Sequence, residues 1–501
     1  MSYLLGFDVG TTGVKAILIS ADGKVLSNRT RPYPLSSPRP RWVEQSPEDW
    51  WKGTKLVIQD VISEAGINAG EIKGISLSGQ MHSSVFLDSK MQVIRPAILW
   101  SDTRTSRQCQ HIYNRVGGLD KLIEYVSNPA LEGFTAPKIL WLRENEPENY
   151  KKTRYVLLPK DYIRYKLTGE VFTEDSDAAG TLLFDVKERK WSLDLLRELE
   201  IDPDILPPVL SSTQIAGRIT KQVARETNLK ENTPVVAGGA DNACGAIGSG
   251  IIKTGRIMTS VGSSGVVLAY TDNPRADRQG RIHLFNHARP QSWYIMGVML
   301  SAAMCLKWLK ENICNNSLDY DRLSELAAGI LPGSERLLFL PYLYGERTPH
   351  ANSNARGVFF GISGKHALAH FARSVMEGVG FGLRDSLELI KQQGVKVKEV
   401  RAIGGGAKSR CWVQILADVL GEEISLLDIE EGPAFGATLI AGVGVNVYED
   451  FEQAEDNIIR VKERISPESA NTRLYNEFYQ MYKRLYVSLK CDFDELGELT
   501  I

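Results

Sequence analysis

The sequence predicts an α/β protein built as two domains of similar design, and three observations predict it. The chain has 501 residues, more than a single hydrophobic core ordinarily serves. Short apolar strand patterns alternate with helical ones along it, as in α/β architecture. One motif also occurs twice, about half a chain apart: Val9-Gly10-Thr11-Thr12-Gly13-Val14 and Val261-Gly262-Ser263-Ser264-Gly265-Val266.

Each copy of that motif lies between apolar runs, residues 3–7 and 16–19 for the first, 257–259 and 267–270 for the second. Strand, tight Gly-hydroxyl-hydroxyl-Gly turn and strand make a β-hairpin. Ser46-Pro47-Glu48-Asp49 then supplies a capping serine, a proline at the first helical position and acids in the first turn. The helix it opens carries Trp50, Val57, Ile58, Val61 and Ile62 as packing residues. Val235-Val236-Ala237 reads as a strand running into Gly238-Gly239-Ala240-Asp241-Asn242. The domain boundary falls near residues 245–253, which gives domains 1–245 and 246–501. In the second half, Ala402-Ile403 leads into Gly404-Gly405-Gly406-Ala407. A helix follows from Ser409 to Leu420 with Trp412, Ile415, Leu416 and Val419 on one face. The glycine-rich junction Gly432-Pro433-Ala434-Phe435-Gly436-Ala437 is expected to pack beneath the 404–407 run.

Composition excludes several classes. Hydrophobic residues make up 43% and charged residues 24%, the mix of a globular protein. A formal net charge of −2 recommends no nucleic-acid partner. No apolar run approaches the roughly 20 residues that span a bilayer, so no membrane partner is expected. Met1 to Gly10 has no basic region or small-residue cleavage site, so no secretory leader is expected. The six cysteines are scattered without a C-x-x-C pair, which suits a reducing cytoplasm and argues against zinc or disulfides. Neither G-x-x-x-x-G-K-[ST] nor G-x-G-x-x-G is present, so the commoner nucleotide motifs are missing.

The hairpin turns read instead as phosphate cradles. Glycine lets a backbone approach an anion, and successive N–H groups in a turn make a concave anion site. Gly10, Thr11 and Thr12 would form one cradle, with Lys15 adding positive charge. Gly262, Ser263 and Ser264 would form the other. Asp8, just before the first turn, is placed to hold Mg²⁺ through its hydration shell. Ser260 stands at the matching place before the second, so one metal carboxylate serves the pair. The 404–407 glycines leave room for adenine or ribose, with tight helix–strand packing as the alternative. Taken alone, Asp241 reads as a helix N-cap, and His82 as a structural histidine.

Phe7-Asp8-Val9-Gly10-Thr11-Thr12-Gly13 resembles the first phosphate motif of the FGGY carbohydrate kinases, within the actin/hexokinase/Hsp70 superfamily. Residues 133–145, from Gly133-Phe134-Thr135-Ala136-Pro137-Lys138, and the stretches 345–350 and 357–361 resemble further segments of that family. So do Gly79-Gln80-Met81-His82, Leu158-Pro159-Lys160-Asp161-Tyr162, Ser176-Asp177-Ala178-Ala179-Gly180-Thr181 and Gly239-Ala240-Asp241-Asn242-Ala243. The resemblance spans about residues 3–445. It implies two ribonuclease-H-like domains of the actin/hexokinase ATPase type flanking a deep cleft, with sugar mainly on the first and ATP mainly on the second. Met81, His82 and Asn242 would contact the sugar. Asp241 would contact it too and act as the catalytic base, with Asp8 the Mg²⁺-associated carboxylate. Gly405, Gly406 and Ala407 would meet adenosine. Ser83, Ser101 and Ser263 depart from the usual residues, the first two on the sugar side. The implied reaction is phosphoryl transfer from MgATP to the terminal hydroxyl of a small ketose. Alternatives are a kinase of L-ribulose, gluconate or glycerol, an Hsp70-like ATPase and a non-catalytic sugar sensor. A homodimer is left open.

Overall fold

A computed structural model describes residues 2–428 and 432–499. They divide into two compact units. Residues 2–252, 272–294 and 432–459 form the first, and 253–271, 295–428 and 460–499 the second.

The first unit is organised on a mixed sheet in the order Ile215–Arg218, Pro234–Val236, Ile72–Gly79, Tyr3–Val9, Gly13–Ser20, Val25–Pro32. Tyr3–Val9 and Gly13–Ser20 are the expected hairpin, antiparallel with Val9 opposite Val14. Tyr3–Val9 also runs parallel to Ile72–Gly79. The two-residue strand Gly239–Ala240 runs parallel beside Ser78 and Gly79. Side chains alternate along a strand. Leu5, Phe7 and Val9 therefore join Val14, Ala16 and Leu18 in one buried cluster with Trp50, Val57, Ile58 and Val61. Those last four are the inward face of helix Pro47–Ala65. Pro47 occupies its first turn with Glu48 and Asp49, and Ser46 is the N-cap by position. The Ser46 hydroxyl makes no capping bond, however, so proline and the acids mark this start without a side-chain cap.

Helix Gly432–Gly444 corrects one expectation. It belongs to the first unit, where it packs on strands Tyr3–Val9 and Ile72–Gly79 and on helix Asp241–Gly248. The reason is a close crossing at Gly436. A Cβ there would lie 1.7 Å from the carbonyl oxygen of Cys244, so only glycine fits. The glycine richness of this junction thus serves the seating of helix Asp241–Gly248 and not the 404–407 run.

In the second unit the sheet order is Trp293–Met299, Gly265–Thr271, Arg256–Val261, Glu399–Ile403, Ile424–Leu427, Val461–Ile465. Arg256–Val261 and Gly265–Thr271 form the second hairpin, with Val261 opposite Gly265. Glu399–Ile403 lies parallel to Arg256–Val261, Ile424–Leu427 parallel to Glu399–Ile403, and Val461–Ile465 antiparallel at the end. This is the plan of the first unit: hairpin, two parallel strands, an antiparallel closing strand. The repeated turn therefore marks a repeated sheet. Helix Arg410–Leu420 starts at Ser409, whose hydroxyl accepts from the Trp412 N–H at 3.3 Å. Trp412, Ile415, Leu416 and Val419 are buried as expected. Among the described residues no helix is long and apolar enough to cross a membrane, and the six cysteines are free thiols.

Candidate active site

In parallel sheets, ligands gather beyond the carboxyl ends of the strands. In the first unit the parallel strands Tyr3–Val9, Ile72–Gly79 and Gly239–Ala240 end together. Their ends deliver Asp8, Gln80-Met81-His82 and Asp241-Asn242 to one place. The Ser78 hydroxyl donates to Asp8 Oδ1 at 3.1 Å, and Lys15 lies directly across the hairpin from Asp8. Burial raises the Asp8 carboxyl above its usual range, opposed by Ser78 and Lys15. Asp241 is the first residue of helix Asp241–Gly248, and Ala240 holds the N-cap position. The N-cap reading of Asp241 therefore falls away. Its Oδ1 accepts from the Asn242 N–H at 2.7 Å and from Asn242 Nδ2 at 3.0 Å. Burial, and then the charge of nearby Asp8, push the Asp241 carboxyl up to about 7. A carboxylate so tuned is a far better proton acceptor near neutrality than an ordinary aspartate.

Beside Asp241 lie polar and soft groups facing the same ends. Asn242 Nδ2 donates to Met81 Sδ at 3.6 Å, and Tyr294 Oη reaches the same sulfur at 3.9 Å. His82 adopts a left-handed backbone, φ 68°. Its Nδ1 is 2.5 Å from the Gly180 carbonyl oxygen. A carbonyl only accepts, so Nδ1 carries a proton toward it. The ring packs against Phe134, centroids 4.5 Å apart. The His82 carbonyl is held by Thr135 Oγ1 at 3.0 Å and by Lys138 Nζ at 2.9 Å. Burial drives the Lys138 ammonium down to about 7. The sequence singled out the segments bearing Phe134, Thr135, Lys138 and Gly180 but gave them no role. They fix the backbone and ring orientation of His82. Ser83 is fully buried; its hydroxyl donates to Gln80 Oε1 at 3.2 Å and accepts from Trp100 N at 3.0 Å. That departure lies behind the site and does not line it.

The approach to Asp241 is braced by buried charges. Lys160 Nζ contacts Asp161 Oδ1 at 2.7 Å, Asp177 Oδ2 at 3.1 Å and Glu174 Oε1 at 3.2 Å, all without exposed side-chain surface. Ser176 Oγ donates to Glu174 Oε1 at 3.0 Å and accepts from the Ala240 N–H at 3.0 Å. The ion cluster is thereby bonded to the residue preceding Asp241.

The two turns share a device the sequence does not display. In the first, the Gly10 carbonyl accepts from Gln80 Nε2 at 3.2 Å and from the Tyr33 hydroxyl. The Thr11 carbonyl accepts from Gln45 Nε2 at 2.7 Å, and the Thr12 carbonyl from the Tyr33 N–H at 3.3 Å. In the second, the Gly262 carbonyl accepts from Ala303 N at 2.8 Å and the Ser263 carbonyl from Ala302 N at 2.8 Å. A trans peptide points its N–H opposite its C=O. Tying the carbonyls inward turns the N–H groups of Thr11, Thr12, Gly13, Ser263 and Ser264 outward, which is what an anion cradle needs. The Thr11 hydroxyl is engaged, accepting from Trp100 Nε1 at 2.9 Å, whereas Thr12 and Ser263 are exposed.

The glycine run is divided in use. A Cβ on Gly405 would meet nothing within 4 Å, while one on Gly406 would lie 2.5 Å from Val261 Cγ1. Gly406 and Ala407 are buried. Gly405 is the open surface, and the other two seat it against the hairpin. The packing reading thus holds for Gly406, while Gly405 keeps the open space that the other reading needs.

Comparison with known proteins agrees with this arrangement. Residues 3–248 match the N-terminal domain of the FGGY family of carbohydrate kinases, and residues 257–445 its C-terminal domain. The chain belongs to the FGGY family of carbohydrate kinases. Such an enzyme transfers phosphoryl from ATP to a sugar, so sugar and ATP are its ligands. The chain is 43% identical over 490 residues to a xylulose kinase of Bacillus subtilis (strain 168), covering 98% of each. It superposes on the ligand-bound xylulose kinase of Lactobacillus acidophilus with a TM-score of 0.94 at 25% identity, covering 99% of this chain and 100% of that one. A gluconate kinase of the same organism gives 0.94 at 25% identity, covering 99% of each.

Proposed function

We propose that the chain transfers the γ-phosphoryl of MgATP to the 5-hydroxyl of D-xylulose, giving D-xylulose 5-phosphate and ADP. The observation that carries this reading is the carboxyl of Asp241, raised to about 7 and set beside Asn242, Met81 and the ring of His82, in a chain so similar to xylulose kinases. An alkanol attacks phosphorus only as its proton leaves, and Asp241 accepts that proton. Its Oδ1 is held by Asn242, while Oδ2 takes no hydrogen bond among the described residues. His82 and Asn242 bind and orient hydroxyls, and a substrate lacking one would leave a polar group unpaired. On the nucleotide side, the outward N–H groups of each turn suit phosphate oxygens, and the open surface at Gly405 suits adenosine.

The residues present fit Mg²⁺. This ion needs only one or two carboxylates and takes its remaining ligands from water and phosphate. Asp8 is such a carboxylate, and its buried charge, unfavourable beside Asp241, would be relieved by a divalent cation. Bound there, the ion would neutralise charge building on the phosphates. Asp8→Asn is expected to shift the Mg²⁺ titration of activity to higher concentration by about tenfold or more. A titration that overlays the parent's removes Asp8 from the metal.

A second reading, a sugar-acid kinase, is favoured by the equally good superposition on a gluconate kinase. Coupled ADP release over a panel of D-xylulose, L-ribulose, gluconate and glycerol decides between them. The expected result is a kcat/KM highest for D-xylulose. A preference for gluconate gives the second reading, and no turnover on any of the four rejects both.

A further inference from the structure

We infer that Glu346 is a positioning residue for the second Gly-Ser-Ser-Gly turn, acting through the chain segment that holds the carbonyls of that turn. The inference rests on the reading of that turn as a phosphate cradle and names what aligns it.

Glu346 opens Glu346-Arg347-Thr348-Pro349-His350, a stretch that the sequence picks out and that the mechanism above leaves unused. Its side chain is buried at 2% exposure. Oε1 accepts from the Leu300 N–H at 2.9 Å and from the Arg347 N–H at 2.7 Å. Leu300 directly follows strand Trp293–Met299. Two residues beyond Glu346, Thr348 donates its N–H to the Val298 carbonyl at 3.0 Å, and its Oγ1 accepts from the Val298 N–H at 3.0 Å. The strand end is thus clamped on both sides of Met299.

Just past the clamp, the chain supports the cradle. Ala302 N–H donates to the Ser263 carbonyl at 2.8 Å, Ala303 N–H to the Gly262 carbonyl at 2.8 Å, and Met304 N–H to Ser263 again at 3.3 Å. These bonds are the ones that turn the Ser263 and Ser264 N–H groups outward. A short, fully bonded path therefore runs from Glu346 to Leu300, along residues 301–303, and into the turn. Misplacement of a positioning element by a fraction of an ångström is felt strongly in phosphoryl transfer, where positioning supplies most of the catalysis.

The side chain's state says which replacements are faithful. Burial pushes the Glu346 carboxyl up to about 8, against the two backbone N–H groups that favour ionisation. At neutral pH the group is mostly the uncharged acid, with Oε1 as the acceptor. Glutamine reproduces that shape and acceptor. Aspartate keeps the acid but is one methylene too short to reach Leu300.

Steady-state kinetics of Glu346→Asp and Glu346→Gln, with ATP and D-xylulose varied separately, tests the inference. Glu346→Asp is expected to raise KM for ATP about fivefold, the effect of one lost neutral hydrogen bond, with KM for the sugar unchanged. Glu346→Gln is expected to behave as the parent. A parent-like ATP KM in Glu346→Asp overturns the inference, as does equal damage in Glu346→Gln or a parallel rise in both KM values. If Glu346→Asp gives no folded protein, Thr348→Val frees the same strand end through Val298 and carries the same expected result. The variant Ser263→Asp, which sets a negative charge at the exposed edge of the turn against any bound phosphate, separates this inference from the reading beneath it. A parent-like ATP KM there rejects the cradle itself and Glu346's role with it. Impairment there beside a normal Glu346→Asp rejects only the role of Glu346.

Discussion

Replacing Asp241 with asparagine is expected to lower turnover by at least about a hundredfold, the contribution of a lost general base, while sugar affinity stays near the parent's. Asparagine matches aspartate in size and retains an oxygen at Oδ1. The two bonds from Asn242, at 2.7 and 3.0 Å, can therefore persist, and with them the donor from Asn242 to Met81. What disappears is the capacity to take a proton. The substitution also removes a buried acid whose ionisation is resisted by Asp8, so the fold should tolerate it well. Turnover from ADP release and sugar affinity from calorimetry check the two halves. Near-parent turnover would remove Asp241 from the base role. A large loss of sugar affinity would make it chiefly a binding residue.

The range over which each signal acts decides how far this site was legible. The hairpins were legible because a tight turn between strands is specified within about a dozen residues, and its second occurrence exposed the repeated sheet. The start of helix Pro47–Ala65 and the inward face of Arg410–Leu420 were legible for the same reason. Asp241 was not, on local grounds: after Gly238-Gly239-Ala240 it reads as a cap, and only the resemblance made it a base. The structure shows what local sequence does not, since strand Gly239–Ala240 pairs with Ser78 and Gly79 and brings the Asp241-Asn242 pair to Met81 through Asn242. Tyr33, Gln45 and Trp100 gave no signal at all, because their role is to hold turn atoms far away in the chain. Gly436 was visible as a glycine but was assigned to the wrong neighbour, which only its crossing with Cys244 reveals. The repeat also goes further than the motif showed. Gln80-Met81-His82 follows strand Ile72–Gly79 as Gly404-Gly405-Gly406 follows strand Glu399–Ile403. The loop proposed for the sugar and the loop proposed for adenosine are topological counterparts whose sequences have diverged.

Lys160→Met is expected to destabilise the protein by about 3–5 kcal/mol, the cost of breaking a buried ion cluster by removing one partner. Burial alone would depress the Lys160 ammonium, but Asp161, Asp177 and Glu174 outweigh it and hold the group above its usual range. Methionine fills the volume yet leaves three carboxyl groups with the single guanidinium of Arg164, which is 3.0 Å from Asp161 Oδ1. The damage should reach catalysis, because Glu174 holds Ser176 and Ser176 holds the Ala240 N–H. Asp177→Asn provides the contrast. Burial already holds the Asp177 carboxyl well above its usual range despite Lys160, so an uncharged asparagine that keeps an oxygen toward Lys160 costs less there than loss of the lysine. The expected cost of Asp177→Asn is about 1 kcal/mol, that of one weakened hydrogen bond to Lys160. Urea unfolding of both variants measures the difference. Equal stabilities for Lys160→Met and the parent would show that the cluster is dispensable to the fold. A loss in Asp177→Asn as large as in Lys160→Met would show that Asp177 is ionised and that all three carboxylates lean on one lysine.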